Sequence, residues 1–215
     1  MALTDSQVRA LRRRVRAGAL EVEHLLKVAS AGDPADAPIL RRLALDFEFP
    51  RGSGGAGHPV PLGTWTDVAC VFLEQGYPGL ERLCDTRRLL PFCLGLLEEL
   101  HTAPCLEVLN RLAAGCSMRA DRLRVASTVN LVCSFQPPPD IPAEARAAAR
   151  AWLHDLLEEV VQPDARAIAV CALRGVGDSV SLKKIAELPP FPHPWEGLEK
   201  SATRAIKRRL RRQAG

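Results

Sequence analysis

The stretch Asp164–Leu188, DARAIAVCALRGVGDSVSLKKIAEL, decides the fold. Its first half sets Ala165, Ile168, Ala169, Ala172 and Leu173 at i, i+3, i+4, i+7 and i+8, one face of an α-helix. Pro163 fits a first helical turn, where its missing N–H costs nothing, and Asp164 places a carboxylate at the helix's positive end. The face is built of small residues, so the helix is expected to lie close against a neighbour. Gly175 and Gly177 are expected to break it with positive φ, and Asp178 or Ser179 to cap a second helix. Val180, Leu182, Ile185 and Leu188 then continue an apolar stripe until Pro189-Pro190 stops it. The unit reads as helix-turn-helix and carries no obvious chemistry.

Arg166, Ala169, Ala172-Leu173, Gly177-Asp178 and Leu182 together resemble a HEAT repeat of the short bacterial-lyase type. In that repeat an Arg-x-x-Ala-x-x-Ala-Leu helix runs to a Gly-Asp break and an aliphatic second helix. The resemblance covers about an eighth of the chain and implies a HEAT/armadillo-like array, in which each helix pair buries its stripe only against its neighbours.

The rest of the chain supports the same class. Hydrophobic residues make up 47% of the 215, but aromatic residues only 5%, so the core is aliphatic and the chain long enough to bury one. Leucine and alanine at helical spacing, without the alternation of strands, predict helix throughout. Apolar helices are expected over Thr4–Ser30, from Ile39 to Phe47, from Thr64 or Thr66 to Gly76-Tyr77-Pro78-Gly79, over Leu89–Leu100, from Thr102 to Gly115, over Ala120–Phe135 and over Pro142–Val161. Leu80 and Leu83 form a separate short piece. Gly18 divides the first of these, and Gly32-Asp33-Pro34 repeats the break seen at Gly177-Asp178. The recurrence at about 35–45 residues is that of HEAT and armadillo arrays. The expected architecture is therefore an all-α solenoid of about five stacked antiparallel helix pairs in one domain, 1–215. It is interrupted by a flexible Gly/Pro-rich loop over 50–62 and closed by a basic helix over 195–213.

Charge is unevenly placed. The first 17 residues carry five arginines against Asp5, and residues 200–215 carry seven cations and no acid, which leaves the intervening chain at −7 within a total of +4. In the last helix Lys200, Arg204, Lys207, Arg208, Arg211 and Arg212 recur every three or four residues, so they form one cationic stripe. These six are the candidate partner-binding residues. Such a stripe suits an acidic protein surface or phosphate.

Other chemistry finds little support. The five histidines are far apart, with only His154-Asp155 adjacent, so no zinc set is expected and no cofactor or metal is assigned. Glu98-Glu99 and Glu158-Glu159 are neighbours that point in different directions on a helix, and Ser53, Ser117 and Ser134 sit in no nucleophile elbow. The Gly52–Gly55 run lacks the Lys-Ser/Thr of a phosphate loop. No catalytic residue is therefore assigned. Seven cysteines, at 70, 84, 93, 105, 116, 133 and 171, contain no Cys-x-x-Cys pair and read as small buried hydrophobes in a reducing compartment.

No run approaches the ~18 apolar residues of a membrane span, and the arginine-rich start lacks a signal core. These observations predict an intracellular protein, cytoplasmic rather than nuclear. The expected function is a non-enzymatic, protein-binding scaffold or adaptor. A regulatory subunit or toxin-neutralising partner is a narrower version of it. The alternative is a nucleic-acid-binding protein that acts through the basic last helix, in the manner of the HEAT-like alkyl-base DNA glycosylases. Trp65-Thr66-Asp67-Val68 faintly resembles a tryptophan-aspartate-valine element of those enzymes. Against that stand the acidic middle of the chain and the ordinary packing role of Trp65, Trp152 and Trp195.

Overall fold

The computed structural model describes residues 2–17, 21–45, 62–135 and 137–214, and every regular element among them is helical. The chain forms two compact units, Met1–Leu100 and His101–Gly215. The loop expected over 50–62 lies outside the described residues except for Leu62, which opens a helix, and Gly18 also lies outside them.

The first unit holds α1 (Asp5–Arg16), α2 (Val22–Ala31), a 3₁₀ turn (Pro34–Asp36), α3 (Ala37–Leu45), α4 (Leu62–Cys84) and α5 (Leu90–Leu100). Thr4 opens α1 with a capping box: its hydroxyl accepts from the Gln7 amide, and the Gln7 side chain accepts from the Thr4 amide at 2.8 Å. Gly32 closes α2 in the left-handed region at φ 75°, and Asp33 caps the turn that follows. Arg41 on α3 pairs with Glu74 on α4, with one arm of the fork at 2.9 Å. Gly76 leaves helical geometry at φ 63° and kinks α4. A second helical piece then runs through Pro78 to Cys84, so Leu80 and Leu83 lie on a short piece of their own beyond the kink, as the sequence predicts. Proline at 78 is tolerated because the kink has already broken the hydrogen-bond ladder there.

The second unit holds α6 (Ala103–Gly115), α7 (Arg119–Ser134), α8 (Ala143–Glu159), α9 (Pro163–Val176), α10 (Ser179–Ala186) and α11 (Leu198–Ala214). Helix α9 packs on α7, α8 and α11, and Ala167, Ala169, Val170, Ala172, Leu173 and Val176 are fully enclosed. Its buried surface is broader than the predicted face: Ala165 and Ile168 are half-buried, while Ala167 and Val170 lie inside. The close approach expected of small residues is seen at Gly175, where a Cβ would lie 2.4 Å from the Cys133 carbonyl oxygen of α7.

The two glycines of the break therefore act differently from expectation. Gly175 continues α9 and Gly177 has φ −61°, so neither occupies the left-handed region. Both are needed for space, since a Cβ at 177 would meet the Leu173 carbonyl at 2.6 Å and Ile206 at 2.9 Å. Asp178 caps α10 as predicted, accepting from the amides of Val180 and Ser181 at 3.0 Å.

Side chains tie the remaining helices. Asn110 on α6 donates to the Ala145 carbonyl at 2.8 Å and accepts from Trp152 Nε1 at 3.0 Å, joining α6 to α8. Arg122 on α7 grips Glu159 at 2.8 and 2.9 Å and reaches the Trp152 carbonyl. Alternate helices thus lie beside one another, α6 with α8 and α8 with α10, and α7 with α9 and α9 with α11.

Candidate functional site

The approach to α11 is an elbow. Phe191 is buried, Trp195 donates from Nε1 to Asp164 at the start of α9 at 2.6 Å, and Gly197, at φ 74°, turns the chain into the helix. Glycine fits this last position because L side chains rarely adopt it. From there Ala202 and Ile206 face inward with no exposure, and Leu198, Ala205 and Leu210 are half-buried beside them. That inward stripe fixes which side of α11 faces water.

On the outward side, Lys200, Arg204, Lys207, Arg208, Arg211 and Arg212 are all exposed. None of the six makes an ion pair with a described residue. The structure brings the last five together along an open groove of about 370 Å³. Lys200 and Arg204 border a second, larger trough of about 520 Å³, whose other walls are Ile185, Ala186, Leu188, Pro190, Glu199 and Thr203. Arg204 belongs to both. A cationic track and an aliphatic trough are therefore contiguous, and the trough was not foreseen because its walls come from α10, the elbow and α11 together.

The seventh cation of this segment, Arg209, has another role. Its Nη2 donates to the Gly177 carbonyl at the end of α9, while Arg150 on α8 donates from Nη1 to the neighbouring Val176 carbonyl at 3.0 Å and pairs through Nε with Asp178 at 3.1 Å. Two guanidinium groups thus satisfy carbonyls at the helix's negative end. Burial, with Arg146 and Arg150 nearby, pushes the Arg209 guanidinium below its ordinary value. Its position was legible: residue 209 is three past Ile206 and seven past Ala202, on the buried stripe.

One cluster has the composition of a nucleophile and base. His154 Nε2 lies 2.8 Å from Ser181 Oγ, and Asp178 lies beside them. Burial and Lys184 push the imidazole below its ordinary value. Burial opposes ionisation of Asp178, but the Ser181 amide, Arg150 and the Val180 amide outweigh it and hold the carboxyl below its usual range. The carboxylate contacts the serine and not the imidazole, and Ser181 is wholly enclosed, so no substrate atom reaches its Oγ. This is the cap of α10, locked against α8.

The tryptophans are each packed separately. Trp65 stacks edge-on against Phe92 at 5.0 Å and fills the space over Gly95, while Asp67 points to solvent. Trp152 and Trp195 are held by Asn110 and Asp164. All seven cysteines are free, and burial pushes the Cys70 thiol up to about 11 and the Cys133 thiol to about 12. Among the described residues no group of three His, Cys, Asp or Glu is placed to hold a metal, and no helix is long and apolar enough to cross a membrane. No family model, no curated protein and no solved structure matches the chain.

Proposed function

We propose that this chain is a non-enzymatic, protein-binding scaffold or adaptor of helical-repeat type, and that the outward side of α11 is its contact surface. The observation that carries this reading is the contiguity of six cations, none ion-paired with a described residue, with an aliphatic trough. Phosphate recognition needs the first alone; a protein interface uses both, an apolar centre with a charged rim.

The HEAT-like reading is supported in the second unit by the side-by-side packing of alternate helices and by the glycine contacts that let α9 approach α7. In such arrays a shared core leaves one long surface free for partners. The same fold carries many functions, so the binding reading rests on α11 and not on the repeat.

The test is capture of partners by the immobilised full-length chain after nuclease treatment. A defined protein partner that persists supports the scaffold reading. Loss of every partner with nuclease overturns it in favour of nucleic-acid binding. Truncation after Lys200 is unsuitable, because it also strips Ala202, Ile206 and Arg209 from α9.

A further inference from the structure

We infer that the occupant of the α11 surface is a short acidic segment of a partner protein carrying an aliphatic anchor, the anchor seated in the trough and the acids laid along the cations. This rests on the protein-binding reading and specifies the chemistry of the partner.

The trough supplies the first half. Ile185, Leu188 and Pro190 give it an aliphatic wall, and the volume of about 520 Å³ accommodates one or two branched side chains. Lys200 and Arg204, both exposed, line it together with the half-buried Glu199, so a chain that passes from the trough toward Arg208 meets two cations against one carboxylate. The track then continues past Arg208 to Arg212. From Lys200 to Arg212 the helix advances about 18 Å, the length of roughly 12 helical residues or six extended ones. None of the six cations forms an ion pair with a described residue, and Glu199 is the one acid among the residues lining the trough and the track, so the surface keeps a net positive charge that an acidic partner complements.

Nucleic acid fits only half of this surface. A phosphate backbone would follow the arginines but would leave the aliphatic wall uncovered. A membrane surface fits less well, because the apolar side of α11 is committed to the core through Ala202 and Ile206.

The test is selection of a random dodecapeptide library displayed on phage against the full chain, with titration of the selected peptides. The proposal expects a consensus with one or two Leu, Ile or Val beside several Asp or Glu. Affinity should fall by about tenfold or more on R204A/R208A/R211A, from the loss of several exposed ion pairs, and also on Leu188→Ser. Peptides without acids, peptides bound equally by both variants, or no enrichment at all would overturn it. Tighter binding of oligothymidylate than of any selected peptide would also overturn it. Failure here with a nuclease-resistant protein partner still captured removes the acidic segment and leaves the scaffold reading intact. Failure of both removes the scaffold reading as well.

Discussion

Arg209 donates from Nη2 to the carbonyl oxygen of Gly177, closing the end of α9 with a side chain from α11, while the preceding residue, Arg208, stands in solvent on the cationic side. Two adjacent arginines thus belong to opposite halves of the molecule's economy, one to stability and one to recognition.

Replacing them separately makes that division measurable. Arg209→Ala leaves the Gly177 carbonyl without its partner and opens space beside Ile206, which should cost about 1–3 kcal/mol in urea unfolding. Arg208→Ala should stay within about 0.5 kcal/mol of the parent. Equal losses would contradict the assignment.

The approach of α9 to α7 at Gly175 gives a second contrast. A Cβ there meets the Cys133 carbonyl at 2.4 Å, and backbone cannot swing aside as a side chain can. Gly175→Ala should destabilise by about 1–3 kcal/mol through overpacking. Gly115→Ala, where nothing lies within 4 Å, should cost nothing measurable.

The helices were legible in the sequence wherever cap, stripe and breaker agreed, as at Thr4-Asp5, Gly32-Asp33-Pro34 and Pro163–Val176. What was not legible depended on tertiary space. The sequence around Gly175 and Gly177 fits a turn glycine as well as a packing glycine, and only the position of Cys133 and Ile206 separates the two. Likewise Gly76 marked a break correctly and the piece carrying Leu80 and Leu83 follows it, but the direction the chain takes through the kink depended on what Leu80 could bury against. For the candidate site, helical spacing alone placed the six cations on one side. The trough could not be read, since Leu188 and Pro190 have no periodic relation to Lys200 and Arg204.

His154 supplies a pH dependence. Burial and Lys184 lower its folded value below the ordinary imidazole value of 6.5, with Arg150 acting in the same direction and Asp178 and Asp155 opposing. The unfolded chain therefore binds the proton more readily, so the contribution is complete above pH 6.5 and lost as pH falls toward the folded value. Urea midpoints measured from pH 7.5 down to 5.5 should decline, and His154→Gln should flatten the decline. An unchanged slope in the variant would assign the loss elsewhere.

The buried thiols give a chemical check on the core. Cys70 and Cys133, raised to about 11 and about 12, should resist iodoacetamide at pH 7.4 in the folded chain and react fully in denaturant. Rapid native alkylation of either would contradict the packing of α4 or α7.

The most direct measurement compares nuclease-treated partner capture by the intact chain and by R204A/R208A/R211A, after matching unfolding midpoints show that both are folded. The account predicts that one protein partner binds the intact chain and is lost, or weakened about tenfold, on the variant. A partner held equally by both would place the contact elsewhere and contradict the role given to α11.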